Sequence, residues 1–141
     1  MAKHFPAHLS WPFSYAGFSG GRQVFVPTIP IYLKTNQGLV EFNFLVDTGA
    51  DLTTLPHFMA SRLGIDLKLA EKSMAEGLAG VRVKTWLTQV ELIFKHTSVR
   101  VPVSITNENS TPFLLGRGGL LDVLYSWHFD AGKKEIKFDT I

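Results

Sequence analysis

One acid stands apart from the others by its setting. Asp47 follows the alternating and then continuous apolar run Phe-Asn-Phe-Leu-Val, opens the turn Asp47-Thr48-Gly49-Ala50, and is followed four residues later by Asp51. Burying an unpaired carboxylate costs on the order of several kcal/mol, so a strand that carries an acid into a turn implies a use for it. The chemistry open to such a group is general acid–base work, taking a proton from water or giving one to a leaving atom. A second apolar run, Phe113-Leu114-Leu115, ends at Gly116 and Arg117 about 65 residues downstream. The remaining candidates are weaker. His4 and His8 are separated by Pro6, which breaks the helix that would align them. His57, His96 and His128 are isolated and no His-Glu-x-x-His set exists, so no metal and no cofactor are expected. Residues 17–21, Gly-Phe-Ser-Gly-Gly, fit a nucleophile-elbow pattern in letters only, because no core strand precedes them.

The elements that must position Asp47 read as mainly β. Residues 23–34 are β-rich but carry Pro27 and Pro30, which remove ladder donors and point to an edge or a bulge. Residues 35–38, Thr-Asn-Gln-Gly, form a hairpin turn into a strand over 39–46 that ends at Asp47. Pro56 starts a short helix that Gly64 stops, with Phe58, Met59 and Leu63 on its buried face. Residues 65–72 read as a strand or connector. The small residues of 74–80 suit a mobile hairpin tip, followed by strands over 81–86, 89–94 and 98–105, and a polar loop over 106–112. A short helix is expected over 119–127 on Leu120, Leu121, Leu124 and Tyr125, and two tail strands flank Ala131-Gly132. Seven or eight short strands with at most two short helices predict a closed or partly closed β-barrel. Residues 1–21 mix aromatics, prolines and glycines without periodicity and read as an extended arm lying against the domain of 22–141 or against a partner.

Taken together, Leu-Val-Asp-Thr-Gly-Ala-Asp at 45–51, Gly-Leu-Ala-Gly at 77–80 and Phe-Leu-Leu-Gly-Arg at 113–117 resemble the retropepsin-like aspartic proteases. The likeness spans roughly residues 24–138 and, with the helix after Pro56, is nearer to bacterial and other cellular members than to viral ones. It implies the acid-protease fold with Asp47 catalytic, Thr48 bonding across paired active-site loops, Gly49 allowing their approach, and Asp51 paired with Arg117. It also implies that Leu115 and Gly116 support the loop, that Gly77, Leu78, Ala79 and Gly80 form a substrate-covering flap, and that Ala50 goes with a mildly acidic working pH. Gly118 departs from the Asn or Asp common after the arginine. The chain has a single Asp-Thr-Gly, whereas the mechanism needs two carboxylates sharing one proton, so a homodimer with its active site on the two-fold axis is expected. Phe129-Asp130-Ala131-Gly132 is the nearest internal match, but nine residues after it cannot build a second lobe, and it reads as a hairpin turn.

Composition bounds the rest. The 45% hydrophobic content is enough for one domain with its own core. Without cysteine, disulfides, thiolate metal sites and cysteine nucleophiles are excluded, and a reducing compartment, the cytoplasm, is the expectation. A net charge of +2 without like-charge runs gives no footprint for nucleic acid, and no stretch has the ~20 apolar residues of a membrane span. The leading expectation is an aspartic endopeptidase acting on peptide or protein substrates. The alternative is an inactive peptide-binding or dimerisation module of the same fold, and a third reading treats the arm as a self-processed leader.

Overall fold

The structure, a computed structural model, describes residues 8–94, 97–122 and 125–140. His4, Pro6, His96 and Leu124 lie outside the described residues. The N-terminal aromatics are used in strands. β1 (His8–Pro12) buries Leu9 and Trp11, and β2 (Ser14–Ser19) turns at Gly20-Gly21 into β3 (Arg22–Val26). Pro27 then interrupts the chain before β4 (Thr28–Thr35), whose inward residues Ile29, Ile31 and Leu33 are fully buried. Gly38, with φ +97°, closes the turn into β5 (Gly38–Val46), which alternates until Phe44 and Val46 are both buried.

β6 (Thr53–Leu55) leads to α1 (Met59–Arg62), a single turn with Met59 and Ala60 buried and Phe58 and Leu63 packed at its sides. Residues 65–70 are a connector. β7 (Glu71–Glu76) and β8 (Arg82–Phe94) then form a hairpin, with the amide of Gly77 donating to Val81 O at 2.7 Å. Met74 and Glu76 therefore belong to the strand, and the tip is 77–81. The two strands expected over 81–86 and 89–94 are one strand, because no glycine or proline separates them; the buried positions simply change phase from Thr85 to Val90, Leu92 and Phe94.

β9 (Thr97–Thr106) buries Val99, Val101, Val103 and Ile105 on one face and Ser104 and Thr106 on the other. β10 (Leu114–Leu115) is followed by one wide turn, Arg117–Leu121. The helix expected over 119–127 is cut back to this turn, which starts earlier and buries Leu120 and Leu121. Gly118 is extended (φ −60°, ψ 124°), Gly119 is left-handed (φ 76°), and the chain is already in β11 (Tyr125–Asp130) by residue 125. β12 (Glu135–Thr140) completes the tail hairpin, where Asp130 Oδ1 accepts the Lys133 amide at 2.9 Å, as the turn reading of 129–132 requires.

The large sheet runs β4-β5-β10-β6-β9-β8-β7, and the bridge of Tyr32 with Ile93 joins β4 to β8. Six strands thus close into a barrel, with β7 outside it. The three-stranded sheet β1-β12-β11 packs its inner face on the barrel, with Trp11 5.6 Å from Phe138 and 6.4 Å from Phe94 between ring centroids. The protein is mainly β, as composition and patterning predict, although twelve strands replace the expected seven or eight among the described residues. The surplus comes from the aromatic segment before Pro27 and from two- and three-residue strands too short to carry a periodic signal. Among the described residues no helix is long and apolar enough to cross a membrane.

Candidate active site

Asp47 leaves β5 where three backbone segments meet. β10 lies parallel to β5, with Leu114 opposite Leu45 and Leu115 opposite Val46, and antiparallel to β6, with Leu114 opposite Thr54. Three amides fix the exit of β5: Leu45 donates to Phe113 O at 2.8 Å, Val46 to Pro27 O at 2.9 Å and Asp47 to Leu115 O at 3.0 Å. These acceptors come from β10, from the residue before it and from Pro27 between β3 and β4, so the amides of 45–47 are all paired.

The turn after Asp47 is stabilised by its own side chain. Gly49 N donates to Asp47 Oδ1 at 2.9 Å, and Ala50 N donates to Asp47 O at 3.2 Å. A Cβ on Gly49 would sit 3.2 Å from Asp47 Oδ1, so the small residue lets amide and carboxylate approach. Asp47 is half-buried, while Thr48 and Gly49 are exposed at the surface. This leaves Asp47 Oδ2 for other partners, since Oδ1 takes the Gly49 amide. A carboxylate with one oxygen tied to a backbone N–H is oriented for proton exchange.

The segment 116–118 lies directly against 51–53. Gly116 N donates to Thr53 Oγ1 at 3.2 Å, Arg117 N to Ala50 O at 3.0 Å and Gly118 N to Asp51 O at 2.8 Å. A Cβ on Gly116 would fall 2.3 Å from the carbonyl carbon of Leu52, so only glycine fits. Arg117 spans the loop. Its Nη1 donates to Thr48 O at 2.5 Å, its Nη2 to Asp51 Oδ1 at 2.5 Å, and its Nε lies 3.6 Å from Asp122 Oδ2. Asp51 is 89% exposed, so this pair contributes geometry more than stability.

The structure brings Asp47, Thr48, Gly49, Ala50, Asp51, Leu115, Gly116 and Arg117 together. Gly77, Leu78, Ala79 and Gly80 sit apart, at the tip of the β7–β8 hairpin, where Ala79 (φ 59°) and Gly80 (φ 73°) are left-handed. Two contributors, Thr53 and Asp122, escaped the sequence reading. Thr53 is fully buried and takes the Gly116 amide; the one available signal was a hydroxyl at the start of an apolar strand. Asp122 reaches Arg117 from the wide turn, and nothing in its spacing announces that. Gly118, the departure from Asn or Asp after the arginine, packs closely: a Cβ there would lie 2.8 Å from Leu52 Cδ2, a side-chain end that can turn aside, and 3.0 Å from Asp51 O.

Asp47 lines neither of two cavities in the chain. The larger, about 720 Å³, runs between 63–71 and the middle of β8 and includes Lys34, Asp66 and Arg100.

A family model described as gag-polyprotein putative aspartyl protease matches residues 34–120. The fold is similar to a retropepsin-like aspartic protease from Rickettsia conorii at TM-score 0.61 and 19% identity, covering 94% of this chain and 99% of that one. The EIAV protease in complex with the inhibitor HBY-793 is matched at TM-score 0.48 and 25% identity, over 65% of this chain and 82% of that one. No curated protein sequence matches. The family match covers well over half of the chain, takes in both the Asp47 turn and the Leu114–Arg117 segment, and agrees with the barrel: the chain belongs to the retropepsin-like aspartic protease family.

Proposed function

We propose that the protein is an aspartic endopeptidase that works as a homodimer. The observation that carries this reading is the Asp47 turn itself, a single carboxylate clamped by the Gly49 amide and braced by Gly116 and Arg117 at an exposed edge of the barrel. Two copies would face each other across a two-fold axis through this edge. Two carboxylates a few Å apart cannot both ionise, so one holds the shared proton. The ionised Asp47 takes a proton from water as the oxygen attacks the scissile carbonyl carbon, and the protonated Asp47 gives its proton to the carbonyl oxygen. Transfer of a proton to the amide nitrogen then breaks the C–N bond and releases an acid and an amine. Thr48 would bond across the paired loops, and the 77–80 tip would close over the peptide to exclude water. A cysteine-free chain suits the cytoplasm, and we place the enzyme there.

Asp47→Asn should abolish cleavage of a mixed peptide library between about pH 4 and 7, the range a shared-proton pair serves, with the circular dichroism spectrum unchanged. Residual activity equal to wild type rejects the mechanism. The second reading, an inactive peptide-binding or dimerisation module, is favoured by a separate observation: Tyr15 and Phe18 on the β2–β3 hairpin are 54% and 70% exposed and offer an aromatic contact surface. A wild-type protein that dimerises but cleaves nothing in that library would select it.

A further inference from the structure

The β7–β8 hairpin has two chemically different faces. Directly opposed residues of an antiparallel ladder share a face, and the register opposes Lys72 with Trp86, Met74 with Lys84 and Glu76 with Arg82. All six therefore project from one side. The other side carries Ser73 with Thr85 and Ala75 with Val83, and at the end far from the tip Glu71 with Leu87, so it holds one acid and no cation. On the first face Lys72 and Lys84 are exposed, Met74 is 46% exposed and Trp86 is half-buried, its indole 5.7 Å from the His57 ring. A cavity of about 300 Å³ is lined by Lys72, Met74, Lys84 and Trp86 of this face, together with Ser73 and Thr85 between them. Among the described residues none of Lys72, Arg82 and Lys84 is in an ion pair, and Glu76 is the one acid on that face. β7 is also the last strand of its sheet, so the cavity lies beside an open edge.

We infer that this face is a docking site for an extended acidic peptide segment with one aromatic or large apolar anchor. The cavity has room for a single such side chain between the thioether of Met74 and the indole of Trp86, the kind of pocket in which anchors bind. Lys72 and Lys84 stand on either side of it, where carboxylates flanking the anchor meet them. A purely apolar ligand would leave both ammonium groups unanswered, and a plain polyanion would leave Met74 and Trp86 unused, so the complement is a peptide with both features. The inference concerns residues remote in sequence from Asp47 and holds whether or not the chain hydrolyses what it binds.

The test is fluorescence anisotropy with a labelled ten-residue peptide bearing one Phe among Asp and Glu, using Asp47→Asn protein so that binding is read without cleavage. The expected result is saturable binding that weakens about tenfold or more in Lys72→Glu/Lys84→Glu, the sum of two exposed charge reversals, and that also weakens in Met74→Ser. These side chains are exposed, and an unchanged circular dichroism spectrum shows that the fold is kept. The same peptide with Gly for Phe, or with Lys for its acids, should bind weakly. Absence of binding, equal binding by the charge-reversed protein, equal binding of the Gly peptide, or tighter binding of a single-stranded oligonucleotide each overturns the proposal.

Discussion

At Gly116 the chain has no room for a single added carbon. Gly116→Ala would drive a methyl group to 2.3 Å from the Leu52 backbone, and because both partners are main chain neither can rotate away. The expected cost is about 3 kcal/mol, at the upper end for overpacking, together with loss of activity, since the displaced segment carries the Arg117 contacts. Urea denaturation measures the first and peptide cleavage the second. Asp130 gives a prediction with a sign. The Lys133 amide bonded to its carboxylate, opposed by desolvation and helped by the nearby Lys137 and Lys133 charges, holds its pKa below the ordinary value of 3.8. A carboxyl whose folded pKa is depressed stabilises the fold above its unfolded value and loses that contribution as pH falls through the folded one. Asp130→Ala should therefore lower Tm at pH 7, and the gap from wild type should close below about pH 4. A gap that stays constant down to pH 2 would contradict the assignment.

Among the elements, β1 and the β2–β3 hairpin come from the same aromatic segment and play opposite parts. Trp11 is 5% exposed and wedged between Phe94 and Phe138, whereas Phe18 is 70% exposed. Trp11→Ala should cost about 3–5 kcal/mol, the usual loss for a large buried aromatic. Phe18→Ser should change stability by less than about 0.5 kcal/mol. Thermal melts of the two variants separate these outcomes. The same contrast decides how an N-terminal truncation should be designed. Removing 1–20 strips Leu9 and Trp11 from the core and leaves one edge of β12 unpaired, so loss of activity in such a protein reports unfolding as much as loss of a leader.

For the whole molecule the proposed mechanism makes activity depend on association. With one Asp-Thr-Gly per chain, specific activity should fall on dilution as dimers dissociate, and a peptide-like inhibitor bridging both copies should restore the dimer in sedimentation experiments. Specific activity that is independent of concentration in a protein sedimenting as a monomer would remove the two-carboxylate mechanism. A net charge of +2 does not oppose self-association by long-range repulsion.

The sequence alone determined what depends on local pattern. Alternation of apolar residues marked β4, β5 and β9, Pro27 and Gly38 marked where β4 and β5 start, and the pairing of an apolar-Asp-Thr-Gly run with an apolar-Gly-Arg run marked both segments that meet at Asp47. Tertiary structure decided whatever depends on contact between distant segments. That Thr53 accepts the Gly116 amide, that Asp122 reaches Arg117, and that Gly118 packs against Leu52 are facts about 51–53 meeting 116–122 in space, and spacing along the chain does not encode them. The aromatic N-terminus was illegible for the same reason. Whether Trp11 is buried and Phe18 exposed is settled by β12 pairing with residues 8–12 and not with 14–19. Long-range strand pairing leaves little periodic signal in five residues interrupted by proline.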